Sequence, residues 1–437
     1  MSNTNLKIVA GGRVIDPKSK LDCKADVYIE DGKVTNVETA QLLSKKDLRD
    51  YGTGEAIWAE GMIVTPGLID IHVHLREPGR EDAETVVSGA QAAAAGGFTA
   101  VCCMPNTTPP IDNQETVKFV LDRAAEAPVK VFPIGAVTKG RSGGELAEIG
   151  DLVSAGAVAI TDDGSPVESA AVMKRALEYV RMFDISVVSH AEDLTLSDGT
   201  HMNEGYTSTV IGIKGNPPIS EEICVARDVR LASYVGSRLH IAHVSTKGAV
   251  EVIRDAKKRG VKVTAEATPH HFTLTDDMIA ERFDTNLKMN PPLRSQTDVE
   301  AIIAGLQDGT IDCIATDHAP HSIESKDVEF DIAPNGVIGL ETSLGLAITR
   351  LVKPGLLSWS DLVLKMSTLP ASVMNLKMGR LKKGYPADIT IIDPEKNWKV
   401  DPSKFFSRSR NTPFGGEKLT GRAIMTIVDG KIVYQTM

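Results

Sequence analysis

Cysteine is scarce in this chain, five residues in 437. So small and odd a number makes no disulfide framework, and the adjacent Cys102-Cys103 sits inside an apolar run that reads as buried core. A reducing compartment, the cytoplasm, is the expectation. Positive charge is also in deficit: 48 Lys+Arg stand against 58 Asp+Glu, a formal net charge of -10. That balance argues against a nucleic-acid-binding surface and against a basic membrane anchor. No apolar run is long enough to span a bilayer, and residues 1–9 lack the apolar core of a signal peptide. No repeat of solenoid length and no low-complexity tract is present. The length allows one large α/β barrel or two to three smaller domains.

What the chain does have is a pair of histidines in an apolar strand. Leu68, Ile69, Ile71, Val73 and Leu75 surround His72 and His74, and the turn signal Pro78-Gly79 follows. Side chains two apart on a strand share one face, so the two imidazoles point the same way. Neutral imidazole is a ligand for zinc and similar ions. A lone histidine would more simply be a packed core residue. Two at this spacing, with Asp70 before and Arg76 after, favour a metal site if further ligands follow downstream.

Along the chain, residues 5–64 read as short strands at 7–10, 27–30, 33–37 and 56–59, with an Asp31-Gly32 hairpin signal. The pattern changes at Pro66-Gly67. From there to about residue 355, strands at 68–74, 99–104, 129–134, 158–161, 186–190, 239–243, 261–265 and 313–316 alternate with helices. The helices are expected at 84–95, 114–127, 145–154, 169–183, 221–235, 248–259, 297–306 and 340–352. Eight strand–helix units give the fold class α/β, a (β/α)₈ TIM-type barrel. The rival, a doubly wound sheet, lacks its glycine fingerprint. Beyond a helical stretch at 360–376, strands return at 387–392, 424–428 and 432–434, with a second Asp-Gly hairpin signal at Asp429-Gly430. The matched signals predict that residues 1–65 and 378–437 make one composite β-sandwich domain beside a barrel spanning 66–377.

Active sites of such barrels lie at the C-terminal ends of the strands. Strand four ends in Thr161-Asp162-Asp163-Gly164, strand five in His190-Ala191-Glu192-Asp193, strand six in His243-Val244-Ser245, and strand eight in Thr316-Asp317-His318. With His72 and His74, five of eight strand ends offer His or Asp. Any one alone would more often be a capping or core residue; five at matching positions form a collective metal signal. The residues themselves leave Asp162 and Asp163 equal as candidates.

These motifs resemble the cyclic amidohydrolases and, among them, the type I dihydroorotases. The resemblance spans nearly the whole chain. It rests on Asp70-Ile71-His72-Val73-His74-Leu75-Arg76-Glu77-Pro78-Gly79, Met104-Pro105-Asn106-Thr107, Thr161-Asp162-Asp163-Gly164, His190-Ala191-Glu192-Asp193, His243-Val244-Ser245-Thr246-Lys247, Lys288-Met289-Asn290-Pro291-Pro292-Leu293-Arg294 and Ala315-Thr316-Asp317-His318-Ala319-Pro320-His321. It implies zinc, one or two ions per subunit, held by His72, His74, Asp163, His190, His243 and Asp317, with Asp163 as the bridging carboxylate. Asp317 is implied as the catalytic base as well. The implied substrate contacts are His74, Arg76, Asn106, Asn290, His321, Asn335 and Gly336. A guanidinium at Arg76 could grip a carboxylate bidentately; its alternative is a surface ion pair with Glu77 or Glu81. Asn106 and Asn290 could equally be turn formers beside proline.

The implied reaction is the reversible cyclisation of N-carbamoyl-L-aspartate to L-dihydroorotate in pyrimidine biosynthesis. The resemblance implies a homo-oligomer, a dimer, and leaves aspartate carbamoyltransferase open as a partner. Hydantoinases, dihydropyrimidinases and allantoinases are the alternative. They bridge their metals with a carboxylated lysine at the end of strand four, where this chain has Asp162-Asp163; Lys139 follows strand three and reads as a solvated loop residue. A non-catalytic partner of aspartate carbamoyltransferase is a further alternative, opposed by the full ligand set. Two departures stand out. Pro334-Asn335-Gly336 replaces the family's Pro-Phe-Gly, and Arg80 stands where a second glycine is usual.

Overall fold

The computed structural model describes residues 6–52 and 54–436. The first five residues, Thr53 and Met437, all within the expected composite domain, lie outside the described residues.

Eight strands form the barrel: β1 Leu68–Val73, β2 Phe98–Cys103, β3 Lys130–Pro133, β4 Ala159–Ile160, β5 Ser186–Ser189, β6 Leu239–Ile241, β7 Val263–Ala267 and β8 Cys313–Ile314. Neighbours pair in parallel. Single bridges complete the ring, Gly135 to Ile160 between β3 and β4 and Val73 to His318 between β1 and the end of β8. Strands buried outside by helices and inside by the packed barrel interior read as short apolar runs, which is why all eight stand out in the sequence. The bounds of all eight shift from expectation by one or two residues, and for two of them the local reason is plain. β7 starts two residues late because the Val261 N–H still donates to Ala256 O of the preceding helix, 3.1 Å away. β8 ends early because the Thr316 N–H donates to the Asp70 carboxylate, at 3.2 and 3.3 Å, and leaves the ladder.

Several helices between the strands are amphipathic or capped. Lys247–Lys258 buries Ala249, Val250, Ile253 and Ala256, one stripe at helical spacing, and Thr246 caps its first turn. Thr85 and Ser295 close capping boxes on Val86–Gly96 and Gln296–Asp308, each cap worth about 1 kcal/mol. Short elements absent from the sequence reading crowd the C-terminal mouth: Leu194–Ser197, Tyr206–Ile211, Asp277–Arg282, and a two-residue strand pair, Met202–Asn203 with Gly215–Asn216. Four to six residues carry too little periodicity to be read in advance.

The chain ends share one eight-stranded sheet. Its order is Lys431–Gln435, Lys418–Val428, Ile389–Lys399, Ile63–Pro66, Ile8–Asp16, Leu21–Glu30, Lys33–Glu38, with Ala56–Trp58 also paired to Ile8–Asp16. Ile63–Pro66, unexpected from sequence, is the joining strand: it runs parallel to Ile8–Asp16 and antiparallel to Ile389–Lys399. Gly67 then passes so close to Thr99 that a Cβ would lie 2.1 Å from its Oγ1, so only glycine fits where the chain enters the barrel. The two Asp-Gly turns have left-handed φ at both residues, 49° and 71° in one and 47° and 72° in the other. They meet tip to tip: Ala387 N donates to Gly32 O at 2.8 Å, and Gly430 N to Ala387 O at 3.0 Å. Val9, Val27, Val64, Ile389, Met425 and Ile427, from both ends of the chain, share the core. The fold is α/β, a (β/α)₈ barrel with a small β-sandwich formed by the two terminal segments.

Candidate active site

Each strand end delivers its polar residue to one place. His72 lies inside β1 and His74 just past it; Asp163 follows β4, His190 follows β5, His243 follows β6 and Asp317 follows β8. All six are buried. Two groups have ligand atoms within 4.8 Å of one another: His72, His74 and Asp163, then Asp163, His190 and His243. Asp163 belongs to both. Its Oδ1 is 3.4 Å from His72 Nε2, 3.5 Å from His190 Nδ1 and 3.4 Å from His243 Nε2, and its Oδ2 is 3.5 Å from His74 Nε2. Asp317 Oδ1 lies 2.9 Å from His74 Nε2 and 3.5 Å from His72 Nε2. Asp162, the other candidate of the pair, turns away. It accepts from Val137 N at 2.8 Å, Thr138 N at 3.1 Å and the Thr138 hydroxyl.

The outward nitrogens show how the rings are set. Glu266 Oε1 is 2.5 Å from His72 Nδ1. A carboxylate only accepts, so Nδ1 carries the proton and the Nε2 lone pair faces Asp163. Glu192 Oε2, 3.1 Å from His190 Nε2, does the same for His190 Nδ1. Asn106 Oδ1 lies 2.7 Å from His74 Nδ1, which aims the His74 Nε2 lone pair at Asp317. The cluster therefore turns lone pairs and carboxylate oxygens toward each other, and such acceptors need a cation or protons between them. His72 Nε2 and Asp163 Oδ1 are buried with no hydrogen-bond partner among the described residues. These observations fit a metal site: imidazole nitrogens and carboxylate oxygens are the donors zinc takes, and the outward carboxylates are the usual supports of such ligands.

With protons in place of a metal, the cluster pairs imidazolium with carboxylate. Burial would raise the Asp163 carboxyl, but His72, His190 and His243 outweigh it and hold it well below the usual range. Burial likewise opposes the charge of Glu266, which His72 and His240 nevertheless pull down to about 2. Three non-glycine residues here have left-handed backbone: Arg76 at φ 62°, His243 at 31° and Asp317 at 47°. Such strain costs of order 1–3 kcal/mol each and concentrates at functional sites.

A cavity of about 200 Å³ opens beside the cluster. His74, Asp163, His190, His243 and Asp317 form one wall; Arg76, Asn106, Asn290, His321, Asn335 and Gly336 line the rest. Every substrate-contact residue expected from sequence thus reaches one cavity. Arg76 donates from Nε to Pro320 O at 3.1 Å and forms no ion pair with a carboxylate among the described residues. Its sequence neighbours are engaged elsewhere: Glu77 binds Arg123 at 2.8 Å, and Glu81 accepts from Gly79 N. Burial lowers the guanidinium to about 10, still charged at neutral pH. Asn290 Nδ2 donates to Glu192 Oε2 at 2.9 Å. His321 Nε2 lies 2.7 Å from Asn335 O, and burial, with Arg76 nearby, lowers the imidazole to about 3. Arg80 is exposed, its Nε 3.4 Å from Asp82. Lys139 lies on the surface with Glu145 and Glu148, away from β4.

Sequence reasoning missed Glu266 and gave Glu192 no role. The signal for Glu266 was a lone carboxylate inside the apolar run Val263-Thr264-Ala265-Glu266-Ala267, since unpaired glutamate is almost never buried. Among the remaining histidines, His240 and His318 are buried supports, His240 on Glu266 at 3.1 Å and His318 on Glu84 at 3.4 Å. His271 holds Pro291 O at 3.0 Å.

Known proteins match this arrangement. A family model described as Dihydro-orotase-like covers residues 61–249, and one described as Amidohydrolase family covers residues 225–434. The chain is 54% identical over 431 residues to a dihydroorotase of Syntrophotalea carbinolica, covering 98% of this chain and 99% of that one. It is 53% identical over 427 residues to a dihydroorotase of Acetivibrio thermocellus, 98% of each. Among solved structures, the L-hydantoinase (dihydropyrimidinase) from Arthrobacter aurescens superposes with a TM-score of 0.86 at 27% identity, over 99% of this chain and 96% of that one. A dihydropyrimidinase from Brevibacillus agri shares the fold, with a TM-score of 0.82 at 22% identity, over 98% of this chain and 95% of that one. No helix among the described residues is long and apolar enough to cross a membrane. The shared barrel, the histidine and aspartate cluster at its mouth and the near full-length identity place the chain in the dihydroorotase family of amidohydrolases.

Proposed function

We propose that the protein is a zinc-dependent dihydroorotase that interconverts N-carbamoyl-L-aspartate and L-dihydroorotate. The observation that carries the reading is Arg76, a charged guanidinium with no carboxylate partner among the described residues, facing the same small cavity as five of the six clustered His and Asp side chains. A cyclic amide bearing a carboxylate would satisfy both walls at once. His72, His74, Asp163, His190, His243 and Asp317 are the proposed ligands, and Asp163, which belongs to both groups, is the carboxylate that a second ion would share. Zinc bound there would supply Lewis acidity, lowering the pKa of a water and polarising the ring carbonyl. Arg76 binds the substrate carboxylate through parallel N–H donors, with His321, Asn106, Asn335 and Gly336 completing that end. Asn290 lies against the ring. Asp317 accepts the water's proton at its carboxylate and returns it to the departing amide nitrogen. The Asp163 position, with no lysine at the end of β4, supports this substrate over hydantoins. Zinc as the metal, one or two ions per subunit, the division into 66–377 and 1–65 with 378–437, a homodimer, a cytoplasmic location and aspartate carbamoyltransferase as a partner belong to the same proposal.

The test is a substrate panel with metal quantified in the same preparation. L-Dihydroorotate should turn over in proportion to bound zinc, with dihydrouracil and hydantoin, which lack the carboxylate, far slower. Faster turnover of either carboxylate-free ring would overturn the proposal.

A further inference from the structure

Between Ile389–Lys399 and Lys418–Val428 the chain leaves the terminal sheet and crosses the mouth of the barrel. Two carboxylates, the buried Glu84 and the half-buried Glu341, fasten it there. Glu341 accepts from Phe406 N at 2.8 Å and Ser407 N at 3.1 Å. Glu84 accepts from Arg408 N at 3.1 Å and from the Ser407 hydroxyl. The Ser409 hydroxyl donates to Ala83 O at 2.8 Å. This course delivers Asn411, 5% exposed, to the rear of the substrate cavity.

Asn411 spends its whole side-chain amide on two loops. Its Nδ2 donates to Ala319 O at 3.0 Å and to Gly336 O at 3.1 Å, while its Oδ1 accepts from His321 N at 3.1 Å. Its own carbonyl accepts from Ile338 N at 2.9 Å. One loop follows β8 and carries His321; the other carries Asn335 and Gly336. The two loops touch: a Cβ on Gly336 would sit 2.6 Å from the Ala319 Cβ, and Gly336 has φ 116°. The His321 imidazole in turn reaches Asn335 O. Asn411 does not line the cavity and touches none of the six clustered His and Asp side chains.

We infer that Asn411 is a positioning residue that sets affinity for the substrate's carboxylate by holding the His321 loop and the Asn335-Gly336 loop at fixed separation. The inference rests on the dihydroorotase reading. Its effect falls on binding, because the walls it holds meet the carboxylate, a group that is unchanged during ring opening. An interaction made equally in ground state and transition state appears in KM and not in kcat. Through this residue the terminal segment, remote in fold from the barrel strands, takes part in substrate recognition.

The experiment uses the full-length, zinc-replete chain. Asn411→Ala removes all three bonds; Asn411→Asp keeps the acceptor for His321 N and loses both donors. For each, KM for L-dihydroorotate should rise about tenfold or more, with kcat within about threefold and zinc content unchanged. Because Asn411 acts through the His321 loop, Asn411→Ala combined with His321→Ala should raise KM little beyond His321→Ala alone. KM within twofold of the parent, a fall in kcat with KM unmoved, full multiplication of the two single effects, or failure of both variants to fold would each overturn the inference. The parent enzyme is the control that separates the two ideas. If it does not turn over L-dihydroorotate, the functional reading falls; if it does and KM is unmoved in the variants, only the role of Asn411 falls.

Discussion

The two histidine pairs of the site are held in different ways. His72 and His74 share one strand, and each Nδ1 meets an oxygen, Glu266 Oε1 at 2.5 Å and Asn106 Oδ1 at 2.7 Å. His190 and His243 come from different strands and lie against each other, His190 Nδ1 being 2.9 Å from His243 Nε2. Glu192 supports His190, but His243 Nδ1 is buried without a hydrogen-bond partner among the described residues, on a backbone with φ 31°. The first pair is oriented by dedicated side chains; the second relies more on backbone conformation and mutual contact. The proposed metal should therefore depend more steeply on supports of the first pair.

The largest expected effect is that of His72→Ala. It removes a proposed ligand and takes from Glu266 one of its hydrogen-bond donors, leaving His240 Nε2 and His243 N. Metal content and turnover should be lost together, checked by elemental analysis and an assay on one preparation; retention of both would mean that the first pair is not a metal site. Next come the supports. Glu266→Gln keeps size but loses the charge facing His72 and His240, and should cost about 10–100-fold in metal affinity or turnover. Glu192→Gln, supporting one ring of the second pair, should cost about tenfold or less in a competitive chelator titration. Equal losses would erase the distinction between the pairs. The smallest effect on the metal belongs to Arg76→Lys, which leaves both pairs intact. Lysine keeps the charge and loses the planar fork. Forfeiting one charge-assisted bond, about 1.5 kcal/mol, should raise KM about tenfold with metal unchanged, and an unmoved KM would show that Arg76 does not hold the carboxylate.

The difference between the pairs also marks what could be read from sequence. His72 and His74 announce themselves because strand alternation is local. The eight strands were legible for a similar reason: buried parallel strands and amphipathic helices each leave a short-range pattern. Ile63–Pro66 was not, since four residues became a strand by pairing with Ile8–Asp16 about fifty positions back and with Ile389–Lys399 more than three hundred positions on. Glu266 and Asn411 were missed because their partners, His72 and the loops at Ala319 and Gly336, are distant in sequence. Asp162 and Asp163 were indistinguishable as letters. They separate in space because one carboxylate caps the Val137-Thr138 backbone and the other faces four imidazoles.

The central claim, that this site uses a carboxylate both to hold metal and to carry a proton, is tested most directly at Asp317, 2.9 Å from His74 Nε2. Asparagine there is nearly isosteric and still offers an oxygen, but cannot accept the proton. Turnover of L-dihydroorotate by Asp317→Asn should be measured at saturating zinc, with bound zinc counted in the same sample. A folded protein that retains zinc and loses about 10²-fold or more in turnover, in both directions of the reaction, is expected. A zinc-saturated variant within a few-fold of the parent would contradict it and leave Asp317 a ligand alone.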